Sequence, residues 1–80
     1  MDEKKYLKRI EINNQIMHGK PVIKGTRLPV DIIVEKIAYG HSYEQILTQY
    51  PFIKKEDIQA ALIYAAKVLK AEEVYSVENL

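Results

Sequence analysis

Residues 42–70, with the sequence SYEQILTQYPFIKKEDIQAALIYAAKVLK, decide the fold class of this chain. Ser42, followed three residues later by Gln45, forms a capping-box pattern that predicts the start of a helix, and Pro51 ends that helix. A longer helix is predicted over about 55–70. Its predicted buried face consists of Ile58, Ala61, Leu62, Ala65 and Leu69. Two helices joined by such a short turn have the dimensions of a DNA-binding helix-turn-helix.

Another helix is predicted before this pair. Pro29 is expected at its first helical position, because the fixed φ of proline suits that position, and Gly40 is expected just past its end. The apolar residues between them follow the helical period: Val30, Ile33, Val34, Ile37 and Ala38. The sequence therefore predicts a mainly α, three-helix domain with its helical core over residues 29–70.

The segment before the helices is predicted to be a short N-terminal β arm or hairpin over residues 8–28. Ile10 and Ile12 alternate with polar residues, as in a half-buried strand, and a second extended piece at residues 22–23 is bounded by Pro21 and Gly25. We expect one domain over residues 1–80. Order is expected to be weakest at residues 1–7 and at about 72–80, which form most of the acidic tail, residues 71–80.

Composition limits the class of protein. The chain has 80 residues, of which 48% are hydrophobic and 29% are charged, and it contains no cysteine. These values indicate a folded domain without a disulfide framework. No signal peptide or membrane-spanning apolar run is apparent, so a cytoplasmic location is expected. Because so short a chain buries a modest fraction of its surface, we expect a homodimer.

The sequence contains no pattern typical of an active site. Gly19 and Gly25 enclose five residues, whereas a phosphate-binding P-loop has four residues between its glycines and a lysine after the second. His18 and His41 are far apart and no cysteine accompanies them, so no metal site is expected. No nucleophile and base pattern is present either. We expect a binding protein without a cofactor or a small-molecule substrate, and not an enzyme.

The charge distribution of the chain supports DNA binding only in its first half. The net charge is +1; residues 1–40 carry eight Lys or Arg against five Asp or Glu, and residues 41–80 carry four against six. The residues expected to contact DNA are Lys54, Lys55 and Gln59 at the groove, and Lys20, Lys24 and Arg27 at the backbone. Glu56 and Asp57 oppose phosphate binding. The same helix pattern is also typical of small domains that pack well without binding DNA.

Ile63 stands out on the last predicted helix. It falls in a polar sector with Gln59, Lys67 and Lys70 and is therefore expected to be exposed. Either it is an ordinary surface isoleucine, or it contacts a second copy or another partner.

Residues 18–30, HGKPVIKGTRLPV, closely resemble the characteristic segment of domain-of-unknown-function family 433 (DUF433). The resemblance extends over about residues 10–67. Its further matching residues are Gly40, Ser42, Ile46-Leu47, Tyr50-Pro51, Glu56-Asp57-Ile58 and Ala60-Ala61-Leu62. Lys54 stands where relatives often carry Ser or Thr, so the following helix is expected to lose a cap worth about 1 kcal/mol, while a positive charge is gained.

The resemblance implies a homeodomain-like or winged helix-turn-helix fold in a prokaryotic protein. It also implies a DNA-binding antitoxin that neutralises a PIN-like ribonuclease toxin and regulates its own operator. The alternative is a protein interaction module that dimerises and binds a partner without contacting DNA. If a guanidinium blocks such a nuclease, it must come from Arg9 or Arg27, the two arginines of the chain. Arg27 could instead bind a phosphate or form an ion pair within the protein or its dimer.

The acidic tail carries apolar residues with no place in a three-helix core. They include Val74, Tyr75 and Leu80, among three glutamates. The tail is either a frayed end or a segment that becomes ordered on a partner.

Overall fold

The helix signals of the sequence correspond to helices in a computed structural model of the chain, which describes residues 3–71. Within these residues the elements are α1 Glu3–Leu7, β1 Ile10–Glu11, a 3-10 helix at Met17–Gly19, β2 Val22–Ile23, α2 Val30–Ala38, α3 Tyr43–Gln49 and α4 Lys55–Ala71. The strands pair in antiparallel register, Ile10 with Ile23 and Glu11 with Val22. The prediction of a mainly helical fold with a short hairpin is confirmed. No helix in the described part of the chain is long and apolar enough to cross a membrane.

The cap of α3 forms as the sequence predicts. The backbone amide of Gln45 donates to the Ser42 hydroxyl at 3.1 Å, and the Ser42 amide donates to the Gln45 side-chain oxygen at 2.8 Å. This reciprocal pair satisfies two amides that the first turn of a helix would otherwise leave without partners.

The end of α2 also agrees with the sequence. Gly40 adopts a left-handed φ of +92°, and its amide donates to the Ile37 carbonyl while the His41 amide donates to the Lys36 carbonyl. These two bonds form a Schellman motif, which favours glycine because a side chain is strained at such a φ. Tight termination of α2 at this point lets the chain turn directly into α3.

Two details at the ends of the elements differ from the prediction. Pro29 is the N-cap of α2 and has an extended ψ of 146°, so the helix begins at Val30. Pro29 instead forms a bridge with Val22, which holds it in the extended conformation. Ile12 lies beyond the end of β1 and is exposed. The hairpin is therefore shorter than the alternating pattern suggests.

The N-terminal helix is the main element that the sequence analysis missed. α1 packs against α4, and the Lys67 ammonium lies 2.7 Å from the Glu3 carboxylate. The helix has only five residues and none of them is buried. A helix this short has too few residues for a periodic pattern, and its ion pair joins positions that are distant in sequence.

The core lies between the hairpin, α2, α3 and the first half of α4. Its buried members are Ile23, Leu28, Val30, Ile33, Ile46, Ile53, Ile58 and Ala61. Leu69 was expected on the same buried face of α4 but is 69% exposed. The buried residues of α4 all lie between Asp57 and Ala61, so the second half of the helix extends beyond the core.

Candidate nucleic-acid interface at the start of α4

The turn between α3 and α4 presents two lysines. The side chain of Ile53 is buried in the core and its amide donates to the Tyr50 carbonyl, which fixes the turn. Lys54 and Lys55 follow directly and are exposed. Both therefore lie at the N-terminal end of α4, where the helix dipole adds partial positive charge.

Asp57 holds the start of α4 in place. One oxygen of its carboxylate accepts the backbone amide hydrogen of Lys54 at 2.8 Å, and the other accepts from the Arg9 guanidinium at 3.0 Å. The Asp57 side chain is 10% exposed. Asp57 thus supplies a capping bond from the third position of the helix, which offsets the missing hydroxyl at Lys54.

Arg9 was predicted as a partner contact, and the structure places its guanidinium in an internal ion pair with Asp57. Its side chain is 34% exposed and lies against Asp57. Local patterns cannot reveal this pair because the two residues are separated by 48 positions. The sequence marked Asp57 as a residue of the first helical turn that opposes phosphate binding; in the structure Arg9 compensates its charge.

The hairpin brings two further cations to the same end of the molecule. The Lys24 amide donates to the Arg9 carbonyl at 2.8 Å, so Lys24 follows β2 next to the residue that binds Asp57. Arg27 is exposed in the turn after β2. Among the described residues it makes no ion pair. Lys24, Arg27, Lys54 and Lys55 therefore form what we call the basic end of the protein.

The Thr26 hydroxyl shapes the turn that carries Arg27. It donates to the Ile23 carbonyl at 2.7 Å and accepts the Leu28 amide at 2.9 Å. Gly25 supplies the left-handed φ of +81° that this turn requires. Leu28 is buried directly after Arg27, which leaves the guanidinium on the surface.

Lys20 is not brought to the basic end. Its ammonium lies 3.2 Å from the carboxylate of Asp31, in the first turn of α2. The neighbouring Pro21 carbonyl accepts the Val30 amide, which places this part of the chain at the start of α2. Of the three cations predicted to contact the DNA backbone, the structure brings together only Lys24 and Arg27.

α1 limits how much of α4 is accessible. Ile63, which was expected to be exposed, is half-buried and lines a cavity of about 430 Å³ with Glu3, Ala66 and Lys67. The hydrogen bond and charge of Lys67 lower the pKa of Glu3 below its ordinary value. α1 therefore covers one side of the later turns of α4, although residues 66–71 remain exposed; in the first two turns Lys55 and Glu56 are exposed and Gln59 is half-buried.

An aromatic cluster beside the turn was not anticipated. The Tyr50 and Phe52 rings meet edge to face at 6.1 Å, and the Lys36 ammonium lies 5.9 Å from the centre of the Tyr50 ring. Phe52 is 61% exposed. The sequence signal was that Phe52 lies two residues after Tyr50 in the predicted turn, which places two aromatic side chains close together.

The tail residues named above, Val74, Tyr75 and Leu80, lie outside the described residues.

Comparison with known proteins defines the family. The model described as "Protein of unknown function (DUF433)" matches residues 10–65, and the chain belongs to this family. The crystal structure, at 2.00 Å resolution, of a DUF433 member protein from Anabaena variabilis ATCC 29413 aligns with a TM-score of 0.70 and 30% identity. That alignment covers 74% of this chain and 58% of the other.

Two further relatives are similar to this chain in sequence. The uncharacterised protein y4eO of Sinorhizobium fredii strain NGR234 is 44% identical over 50 residues, which are 62% of this chain and 23% of that protein. An uncharacterised protein of Archaeoglobus fulgidus is 56% identical over 25 residues, which are 31% of this chain and 69% of that protein. The chain thus matches less than a quarter of the rhizobial protein's length.

Proposed function

We propose that this protein is a DNA-binding antitoxin that regulates its own operator, with α3 and α4 as its helix-turn-helix. The basic end carries this proposal. It combines Lys54 and Lys55 at the start of α4 with Lys24 and Arg27 from the hairpin, and Glu56 is an exposed acid beside them. Phosphate contacts of this kind position a protein on DNA and supply much of its affinity.

The accessible part of α4 suits an approach in which its N-terminus enters the major groove. Recognition helices of helix-turn-helix proteins contact base edges with their N-terminal residues. Here α1 packs on the later turns of α4, so base contacts fall to Lys55, Glu56 and Gln59. Glu56 can accept a hydrogen bond from the amino group of cytosine, which gives the acid a role in reading sequence.

Two observations support the antitoxin part of the proposal: the family resemblance, and the different contacts that the two arginines make. A PIN-like nuclease has an acidic site that a guanidinium could block. Arg9 is engaged with Asp57, whereas Arg27 is exposed on the hairpin turn. Arg27 is therefore the arginine that we assign to toxin neutralisation. Replacing Arg27 with Ala should abolish neutralisation by the full chain, and Lys20→Ala should leave it intact.

The DNA role is tested by the salt dependence of binding to the region upstream of the gene. The double variant Lys54→Ala, Lys55→Ala should weaken binding at least about tenfold and reduce the slope of log affinity against log salt by about 2. The matched pair of single variants is Lys55→Ala and Lys20→Ala: both remove one positive charge, the first from the start of α4 and the second from the ion pair with Asp31. Only the first should alter binding.

If these DNA-binding measurements fail, the second candidate function is favoured. That function is an interaction module that binds a protein partner without DNA. The exposed ring of Phe52 is the observation in its favour, because aromatic side chains are enriched at the centres of protein interfaces. A folded double variant with full affinity would exclude Lys54 and Lys55 as the contacts, and affinity that does not vary with salt would exclude the DNA role itself.

A further inference from the structure

The turn between α3 and α4 presents an aromatic ring to solvent. Phe52 is 61% exposed, whereas the next side chain, that of Ile53, is buried in the core. The backbone is fixed on both sides of the ring: the Tyr50 amide donates to the Ile46 carbonyl at 2.8 Å, and the Ile53 amide donates to the Tyr50 carbonyl at 3.1 Å. Phe52 is therefore held outside the core by an anchored turn.

The Tyr50 ring supports the Phe52 ring without enclosing it. The two ring centres are 6.1 Å apart, and the ring planes meet at 77°. Tyr50 itself is half-buried and packs against the core. In such an edge-to-face pair one ring covers at most one face of the other, so Tyr50 leaves at least one face of Phe52 uncovered. A ring on a rigid support can stack on a planar ligand at little cost in conformational entropy.

Three lysines accompany this ring. The Lys36 ammonium lies 5.9 Å from the centre of the Tyr50 ring. Lys54 and Lys55 follow Phe52 by two and three positions and are exposed. Because three residues of chain span at most about 11 Å, both lysines lie close to the ring. The surface formed by Phe52 and these lysines, which we call the aromatic–basic turn, suits a polyanion that also carries planar rings.

We propose that Phe52 stacks on an unpaired base, so that the aromatic–basic turn binds single-stranded DNA, with Lys54 and Lys55 on the phosphates. Surfaces that bind single strands combine aromatic side chains, on which bases stack, with basic groups that follow the backbone. The bases of a duplex are already stacked on one another and leave no free face for Phe52. This activity therefore goes beyond the duplex binding proposed above.

The charges favour a nucleic acid over a protein partner. Residues 50–55 contain two lysines and no acidic residue, and the exposed acid Glu56 follows them. Lysine is depleted at protein interfaces relative to the rest of the surface, whereas it pairs readily with phosphates. Proteins distinguish RNA from DNA through the 2′-hydroxyl group. Stacking and phosphate contacts make no use of that group, so DNA supplies everything that the turn can bind.

Fluorescence anisotropy with labelled oligo-dT of about 15 nucleotides tests the stacking contact. Phe52→Ala should weaken binding at least about fivefold, as expected for the loss of one stacked base. Phe52→Leu keeps an apolar side chain but no ring and should weaken binding equally, whereas Phe52→Tyr should bind like the wild type.

Leu69→Ala is the matched control for these variants. Leu69 is 69% exposed and lies fourteen positions after Lys55 on α4, which is about 21 Å along the helix axis. Its replacement should leave oligo-dT binding unchanged. Full affinity of Phe52→Leu, or a wild-type chain that does not bind oligo-dT, would overturn the proposal.

A single tryptophan can report the contact directly, because the chain contains none of its own. Oligo-dT should quench the fluorescence of Phe52→Trp, since a base stacked on an indole quenches its emission. The fluorescence of Leu69→Trp should not change. Equal quenching at the two positions would exclude stacking at the turn.

Two further probes separate this proposal from operator binding and from RNA binding. Phe52→Ala should bind a duplex of the same length as tightly as the wild type does, because paired bases do not reach the ring. If duplex binding fails while oligo-dT binding persists, the operator role is wrong and this proposal stands; the reverse result contradicts this proposal alone. If oligo-rU binds at least about tenfold more tightly than oligo-dT, the ligand is RNA and the assignment to DNA is wrong.

Discussion

Arg9–Asp57 and Lys20–Asp31 are ion pairs of similar length but different surroundings. The first is 3.0 Å long and includes a carboxylate that is 10% exposed; the second is 3.2 Å long, with side chains 56% and 62% exposed. Water and salt screen the exposed pair, so it contributes little to stability. Asp57 is shielded from water and also caps α4, so its ion pair with Arg9 should contribute more to stability than the Lys20–Asp31 pair.

We therefore predict different costs for removing the two cations. Arg9→Ala should lower the free energy of unfolding by about 1.5 kcal/mol, because it removes a hydrogen bond from a mostly buried carboxylate. Lys20→Ala should change it by no more than about 0.5 kcal/mol. Urea unfolding followed by circular dichroism measures both. Equal losses would contradict the prediction that the less exposed pair contributes more to stability.

The Glu3–Lys67 pair should be visible in an acid titration. Because Lys67 lowers the pKa of Glu3, the carboxylate stays ionised to lower pH in the folded protein than in the unfolded chain. Its contribution is present above the unfolded pKa and is lost as pH falls through the lowered folded value.

NMR titration of the Glu3 side chain should give a midpoint below the ordinary range, and Lys67→Met should raise it. Lys36→Met, which removes a charge next to Tyr50, should leave the midpoint unchanged. If Lys67→Met has no effect, the pair that ties α1 to α4 is not formed in solution.

At the scale of elements, the sequence predicts most accurately where a short pattern contains the whole physical cause. The Ser42 capping box and the Gly40 turn each depend on residues within six positions, so both are correctly predicted. α1 and the Arg9–Asp57 pair both depend on contacts between residues that are far apart in the sequence. No local pattern encodes such contacts. The exposure expected for Ile63 was wrong for the same reason, since α1 packs against that side of α4.

The capping box should be worth about 1 kcal/mol, so Ser42→Ala should lower the free energy of unfolding by that amount. Thr48→Ala is the matched control on the same helix. The Thr48 hydroxyl donates to the Glu44 carbonyl, which is a bond within the helix and not a cap. We expect Thr48→Ala to change stability by less than about 0.5 kcal/mol, because such bonds do not stabilise helices. A larger loss at Thr48 than at Ser42 would contradict this assignment.

At the scale of the whole molecule, α4 connects two surfaces with different chemistry. The basic end lies at its start, and an apolar groove between α2 and α4, lined by Val34 and Leu69 among others, lies along its second half. Lys54 and Lys55 could be identified as candidates from sequence alone. The groove could not, because helical spacing predicts Leu69 to be buried and does not show that the core ends before it.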